Sequence, residues 1–268
     1  MYAGVVKNLS FASSVVVVAA TIVSSRAEAA PPWVARGLTL PRGVWAFDVG
    51  LGVGHRPDVT GAGLNTEVAI GVTHALELGF RSGFRLNGDA QATQADQYGR
   101  LFDTETYGTD GDNVANPEFR VRGSIARGDV AEVGLEGRAY LPIENGTRAG
   151  LLLGVPVTLH LGGTVRLDTG VFVPILFYDP TRTIISIPIA VWIQSTDRFW
   201  LGPFAAVRFH NDPGTFTQVL VGFGLGYQLA RQVDFKAQFI FPDINGSPEQ
   251  GSGGKAFGAG AGLQLRID

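Results

Sequence analysis

From about residue 43 to residue 267 the chain alternates apolar and polar positions with a period of two, and a helical period is hard to find. Twelve such segments follow one another, near 43–54, 64–73, 76–86, 117–126, 130–141, 150–161, 164–173, 183–194, 198–209, 216–229, 232–241 and 256–267. In the third, Leu76, Leu78, Phe80, Phe84 and Leu86 share one face, while Glu77, Gly79, Arg81, Gly83 and Arg85 share the other. The last divides the same way, with Phe257, Ala259, Ala261, Leu263, Leu265 and Ile267 set against Gly258, Gly260, Gly262, Gln264 and Arg266. Alternation of this kind predicts strands that show grease to one side and charge or bare backbone to the other.

Most segments run ten to twelve residues. Soluble strands average about 5–6 residues, whereas a tilted strand needs about 9–11 to cross the hydrocarbon core of a bilayer. The links alternate as well. Tiny connections at 73–75, 127–129, 162–163, 195–197 and 230–231 take turns with longer ones at 55–63, 87–116, 142–149, 174–182, 210–215 and 242–255. A two-sheet soluble sandwich also alternates its side chains, but long strands with alternating short and long links predict a closed barrel with turns at one membrane face and loops at the other. Aromatic residues gather toward the expected strand ends, where headgroups meet the wall; Trp192 and Trp200 fall on the inward parity, as lumen fillers or as a sign of a one-residue register error.

The first residues differ in kind. Lys7, the apolar run 11–23 and the small-x-small triplet Ala27-Glu28-Ala29 have the layout of a secretory signal over residues 1–29, cleaved before Ala30. The expected organisation is thus a signal (1–29), a periplasmic N-terminal segment (30–42) and a barrel (43–268) with a long outer loop at 87–116. Net charge is −3 with no cysteine, so nothing points to nucleic acid as a partner, and disulfides and thiolate metal sites are excluded.

With these segments and links in view, the chain resembles bacterial outer-membrane β-barrel proteins of the twelve-stranded, porin-like channel class. The resemblance is architectural and covers residues 43–267. The chain closes on LQLRID, where such barrels usually end in an aromatic residue. The resemblance implies an all-β, antiparallel transmembrane barrel in the bacterial outer membrane, with lipid as its surroundings. Pro156, Pro188 and Pro203 fall inside expected strands, and since proline lacks the N–H a ladder needs, a bulge or kink shared by Pro188 and Pro203 is expected.

The inward parity carries Arg81, Arg85, Arg120, Arg122, Arg138, Arg166, Arg208, Lys236 and Arg266 against Asp48, Glu67, Glu77, Glu118, Glu132, Glu136, Asp168 and Asp234. Pairing across the 127–129 turn is expected to set Arg120 opposite Glu136 and Glu118 opposite Arg138. Two readings stay open for these charges: a lining that selects solutes, or an interlocked polar filling that only stabilises the wall. Under the first, Arg81, Arg85, Arg120 and Arg122 form an anion-attracting wall, and Glu132, Glu136, Arg138, Arg166, Asp168 and Lys236 complete the lining. Asp103, Glu105, Asp110 and Asp112 in the long loop are candidates for a constriction if the loop folds inward; their spacing is not that of an EF-hand calcium loop.

Some twelve-stranded barrels are phospholipases that use a serine and a histidine. Here His55, His74, His160 and His210 lie near strand ends or in links, and none is two residues from a serine; catalysis needs a base within reach of its nucleophile. No enzyme activity, cofactor or metal is expected. The expected function is a passive channel for small hydrophilic or weakly charged solutes. The alternative is a non-conducting, structural or adhesin-like barrel whose outer loops bind a surface partner. Oligomeric state is not legible.

Overall fold

A computed structural model of the protein describes residues 31–56, 59–85, 114–143, 147–211, 216–246 and 255–268. Twelve strands follow in chain order: β1 (Trp45–Arg56), β2 (Val59–Thr73), β3 (Leu76–Arg85), β4 (Val114–Arg127), β5 (Ala131–Tyr140), β6 (Gly150–Leu161), β7 (Val165–Leu176), β8 (Arg182–Gln194), β9 (Phe199–His210), β10 (Phe216–Ala230), β11 (Val233–Phe241) and β12 (Phe257–Ile267). Each pairs with its neighbour in sequence, and β12 closes antiparallel on β1 from Trp45↔Ile267 to His55↔Phe257. Closure leaves no edge, so every strand finds its backbone partners inside the sheet, as a hydrocarbon surrounding requires.

The two faces separate as the alternation predicts. Along β1 the outward Phe47, Val49, Leu51 and Val53 are exposed while Ala46 and Asp48 between them are buried. The same holds for Leu78 and Phe80 against Glu77, and for Leu151, Leu153 and Val155 against Leu152. Every strand carries at least one such exposed large apolar residue, and together they make a lipid-facing surface. Trp192 and Trp200 are buried inside the barrel as lumen fillers.

Turn chemistry fixes one end. Gly162 and Gly163, at φ of 64° and 75°, lie with Thr164 in the three-residue link from β6 to β7; successive positive φ values in a hairpin loop are conformations glycine adopts without strain. At the other end the first link is shorter than expected. β1 and β2 stay paired out to Arg56↔Val59, because the Thr60–Leu64 stretch continues the alternation as small residues and only positions 57–58 remain between the strands.

The prolines interrupt ladders without shifting them. β8 and β9 hold one register from Ile184↔His210 to Gln194↔Trp200, and only the rungs at Val191 and Trp192, opposite Pro203 and Gly202, are missing. The expected shared bulge is therefore absent. Each proline instead removes a local bond on one side while pairing on the other, Pro188 with Ala206 and Pro203 with Phe223. The Pro188 carbonyl is taken up by the Thr169 hydroxyl at 2.8 Å.

Glycines on β10 make room for rings. Gly226 stands directly opposite Trp200 and Gly222 opposite Phe204, and a Cβ at either would run into that ring, as one at Gly224 would into Trp192. Cross-strand rings thus lie over bare backbone, the arrangement by which aromatics compensate strand glycines. Gly226→Val is expected to destabilise the barrel by about 1–3 kcal/mol through overpacking, seen as a lower temperature for the heat-induced gel mobility shift. Gly137→Ala, at a site with nothing within 4 Å, should change stability by less than about 0.5 kcal/mol.

The segment before β1 is not left outside the wall. A single 3-10 turn, Trp33–Ala35, leads an irregular stretch back into the turn-side end, where Trp33, Val34, Leu38 and Leu40 are each at most 1 % exposed. The backbone passes so close to β2 that a Cβ on Gly71 would strike the carbonyls of Leu40 and Pro41, and Gly71 trades hydrogen bonds with Gly43 and Val44 at 2.7 and 3.0 Å.

Candidate functional site

The lumen has three kinds of wall. Across β2 to β5 it is charged. Arg120 reaches Glu67 at 2.6 Å and Glu77 at 3.0 Å; Arg122 reaches Glu136 at 2.5 Å and Glu77 at 3.5 Å; Arg138 reaches Glu136 at 2.6 Å and Glu118 at 3.3 Å. All seven side chains are buried. Three guanidiniums thus interlock with four carboxylates, so the positive charge of Arg120, Arg122 and Arg138 is matched within the wall.

The register differs from the one expected. Arg120 faces Arg138 and Arg122 faces Glu136, because a bulge at Ile125 and a wider turn slide β5 along β4. Glu118 faces Tyr140 and meets Arg138 only diagonally. Arg81 stands, half-buried, between Glu67 and Glu118 on the adjacent strands. The Arg85 side chain and Asp103, Glu105, Asp110 and Asp112 lie outside the described residues.

From β6 to β11 the inner wall is mixed: Leu152, Phe172, Ile184, Ala190, Trp192, Phe204, Ala206, Leu220 and Ile240 are buried there, among buried polar and charged side chains that include Thr158, Arg166, Asp168, Arg208, Gln218, Asp234 and Lys236. Trp192 is the inward filler its parity suggests; the other apolar residues share that inward parity but did not figure in the expected lining. The third wall is bare. On β12, β1 and β2 the inward positions toward the loop side are glycine, paired as Gly262↔Gly50, Gly260↔Gly52↔Gly63 and Gly258↔Gly54↔Gly61.

Residues 31–44 fill the turn-side end between these walls, held by contacts from around the circumference. The Leu38 and Leu40 amides donate to Glu132 at 3.1 Å and Glu77 at 2.9 Å. His160 Nδ1 donates to the Val34 carbonyl at 2.7 Å, and Arg166 donates to the Arg36 carbonyl at 2.7 Å. Arg36 forms a two-pronged pair with Asp234, and Trp33 stacks flat on Trp200 with centroids 4.9 Å apart. Around them Lys236 pairs with Asp48 at 2.7 Å, and Arg166 with Asp168 at 2.9 Å. Of the expected lining, Glu132, Arg166, Asp168 and Lys236 therefore gather around this segment, and Glu132 also accepts from Arg127 at 3.0 Å. Nothing before residue 43 alternates, so this role carried no periodic signal.

The histidines are spread out. His55 contacts Thr60 Oγ1 at 2.7 Å, His74 sits exposed in a turn, His160 lies 3.3 Å from Glu132, and His210 stacks on Phe216. Among the described residues no group of three or more metal-ligating side chains comes together.

No family model and no curated protein matches the chain. Among solved structures it is similar to the NanC porin (TM-score 0.60, 11 % identity, 82 % of this chain and 100 % of that one). It is also similar to the COG4313 outer membrane channel of Pseudomonas putida F1 (TM-score 0.61, 11 % identity, 85 % and 97 %). A third likeness is the KdgM porin (TM-score 0.53, 7 % identity, 82 % and 99 %). At such identities the likeness speaks for the fold, and it agrees with the closed ladder and the apolar belt: the chain is a twelve-stranded outer-membrane β-barrel of porin-like architecture.

Proposed function

We propose that the protein is a passive outer-membrane channel for small hydrophilic or weakly charged solutes, closed in the described form by residues 31–44. One observation carries this reading: the turn-side lumen is filled by a segment that is not part of the wall. Up to Leu40 the segment is tied by the Arg36–Asp234 pair, one ring stack and single hydrogen bonds. Among the described residues it joins the sheet only where Gly43 and Val44 bond to Gly71, so it can swing out from that anchor, whereas filling by wall side chains cannot leave. The glycine wall of β12, β1 and β2 supports the same reading, since it adds nothing to the lumen beyond backbone. The porin fold of the solved neighbours fits it.

The second reading is a non-conducting barrel whose loops serve a surface partner. The interlocked charges of β2 to β5 and the buried rings and aliphatic side chains of β6 to β11 favour it, because both fill space that water would need.

Planar bilayer recordings separate the two. The full chain should give small or rare conductance steps, and the full chain carrying Trp33→Ala and Arg36→Ala should give a conductance several-fold larger. Background current from both proteins, each shown to be folded by its heat-modifiable mobility, would establish the non-conducting reading instead.

A further inference from the structure

Trp33 and Arg36 engage the barrel as a bound molecule would. Trp33 lies on Trp200 of β9 with an interplanar angle of 2°, and Arg36 grips Asp234 of β11 through Nη1–Oδ2 at 2.5 Å and Nη2–Oδ1 at 3.2 Å. The guanidinium carbon is 4.9 Å from the Trp33 ring and 5.9 Å from that of Trp200. All four residues are at most 3 % exposed. Gly226, on the strand between, leaves the space that lets Trp200 lie flat.

The charges around this spot are matched in an informative way. Lys236 has Asp48 and Arg166 has Asp168, each pair made within the wall itself. Asp234 differs: among the described residues its partner is Arg36, which belongs to the closing segment. When that segment leaves, the wall presents an indole face beside one uncompensated carboxylate. A desolvated carboxylate repels anions and seeks a planar, two-pronged donor, and an indole face favours a flat ring or a cation above it.

We infer that Trp200 and Asp234 form a binding site for a small planar cation, an aryl amidine or guanidine in chemical class, and that Trp33 with Arg36 is its tethered occupant. This rests on residues 31–44 being a separable closure, and it adds to that reading a preference for cationic solutes. A tether of a few residues gives the occupant an effective concentration of about millimolar order, so a free ligand binds the unaltered chain far more weakly than a chain whose occupant has been trimmed.

The test is isothermal titration of purified, folded full-length proteins with benzamidine. The Trp33→Ala/Arg36→Ala variant should bind benzamidine at least tenfold more tightly than the unaltered chain. Adding Asp234→Asn should weaken that binding at least tenfold, and benzoate should not bind. Equal affinity with and without Asp234→Asn, equal binding of benzoate, or no binding to the folded variant would each overturn the site. If the double variant fails to fold, Arg36→Ala alone serves: methylguanidinium should raise its unfolding temperature but not that of Arg36→Ala/Asp234→Asn, and an equal effect on both would overturn the site. Asp234-dependent binding without any bilayer current would leave the site standing and refute the channel; current without such binding would do the reverse.

Discussion

Glu77→Leu is expected to lower the stability of the barrel by about 3–5 kcal/mol, the usual loss when one partner is taken from a buried ion pair. Glu77 is fully buried and accepts from Arg120 at 3.0 Å, Arg122 at 3.5 Å and the Leu40 amide at 2.9 Å. Leucine fills the volume and accepts nothing. Arg120 keeps Glu67 and Arg122 keeps Glu136, but two guanidiniums then share less negative charge and the Leu40 N–H loses its acceptor. Glu77→Gln retains an acceptor and should cost clearly less. Urea unfolding from lipid vesicles, followed by tryptophan emission, gives both values. The size of the Leu effect also reports on the lumen: a loss below about 1 kcal/mol, the range of solvated pairs, would mean that water already reaches these arginines and that the wall is wet. Because Glu77 also anchors the closing segment, the variant should conduct more readily than the unaltered chain.

How far the sequence reveals this arrangement depends on the physics behind each feature. Face assignment rests on a period of two, which survives errors of register: moving β5 by two residues along β4 changes the partner of Arg120 from Glu136 to Arg138 and still leaves every one of these side chains inside. The twelve strands and the lipid belt were legible for that reason. Partner identity was not, because it depends on the bulge at Ile125 and on the width of one turn, which residue types at 127–130 do not specify. The alternating glycines were legible as inward positions but not as two kinds, those on β10 seated under rings from β8 and β9 and those on β12, β1 and β2 forming bare wall. The closing segment was invisible for another reason. Its contacts span great separations in sequence, 94 residues from Leu38 to Glu132 and 198 from Arg36 to Asp234, and a stretch made of one 3-10 turn and irregular chain (31–44) has no period to betray what it touches. Only the unusual content of that run, Trp33 and Leu38 beside Arg36 with no partner nearby in sequence, hinted that it needed burial.

Val121→Arg tests the outer face as Glu77→Leu tests the inner one. Val121 sits at the middle of β4, half exposed on the lipid side, with Arg120 and Arg122 buried on either side of it. Arginine at the midplane of a barrel's lipid face costs about 2–4 kcal/mol, since hydrocarbon offers the guanidinium neither water nor a carboxylate. The loss should appear in lipid vesicles and shrink in short-chain detergent micelles, where the charge reaches water. Val121→Leu, which keeps the face apolar, should be near neutral in both. The comparison bears on register because a slip of one residue would turn position 121 inward among Glu77 and Glu136, where a new arginine would find partners and cost little. A large penalty at 121 in lipid therefore fixes the parity of β4, and with it the inward placement of Arg120 and Arg122 on which the charged wall depends.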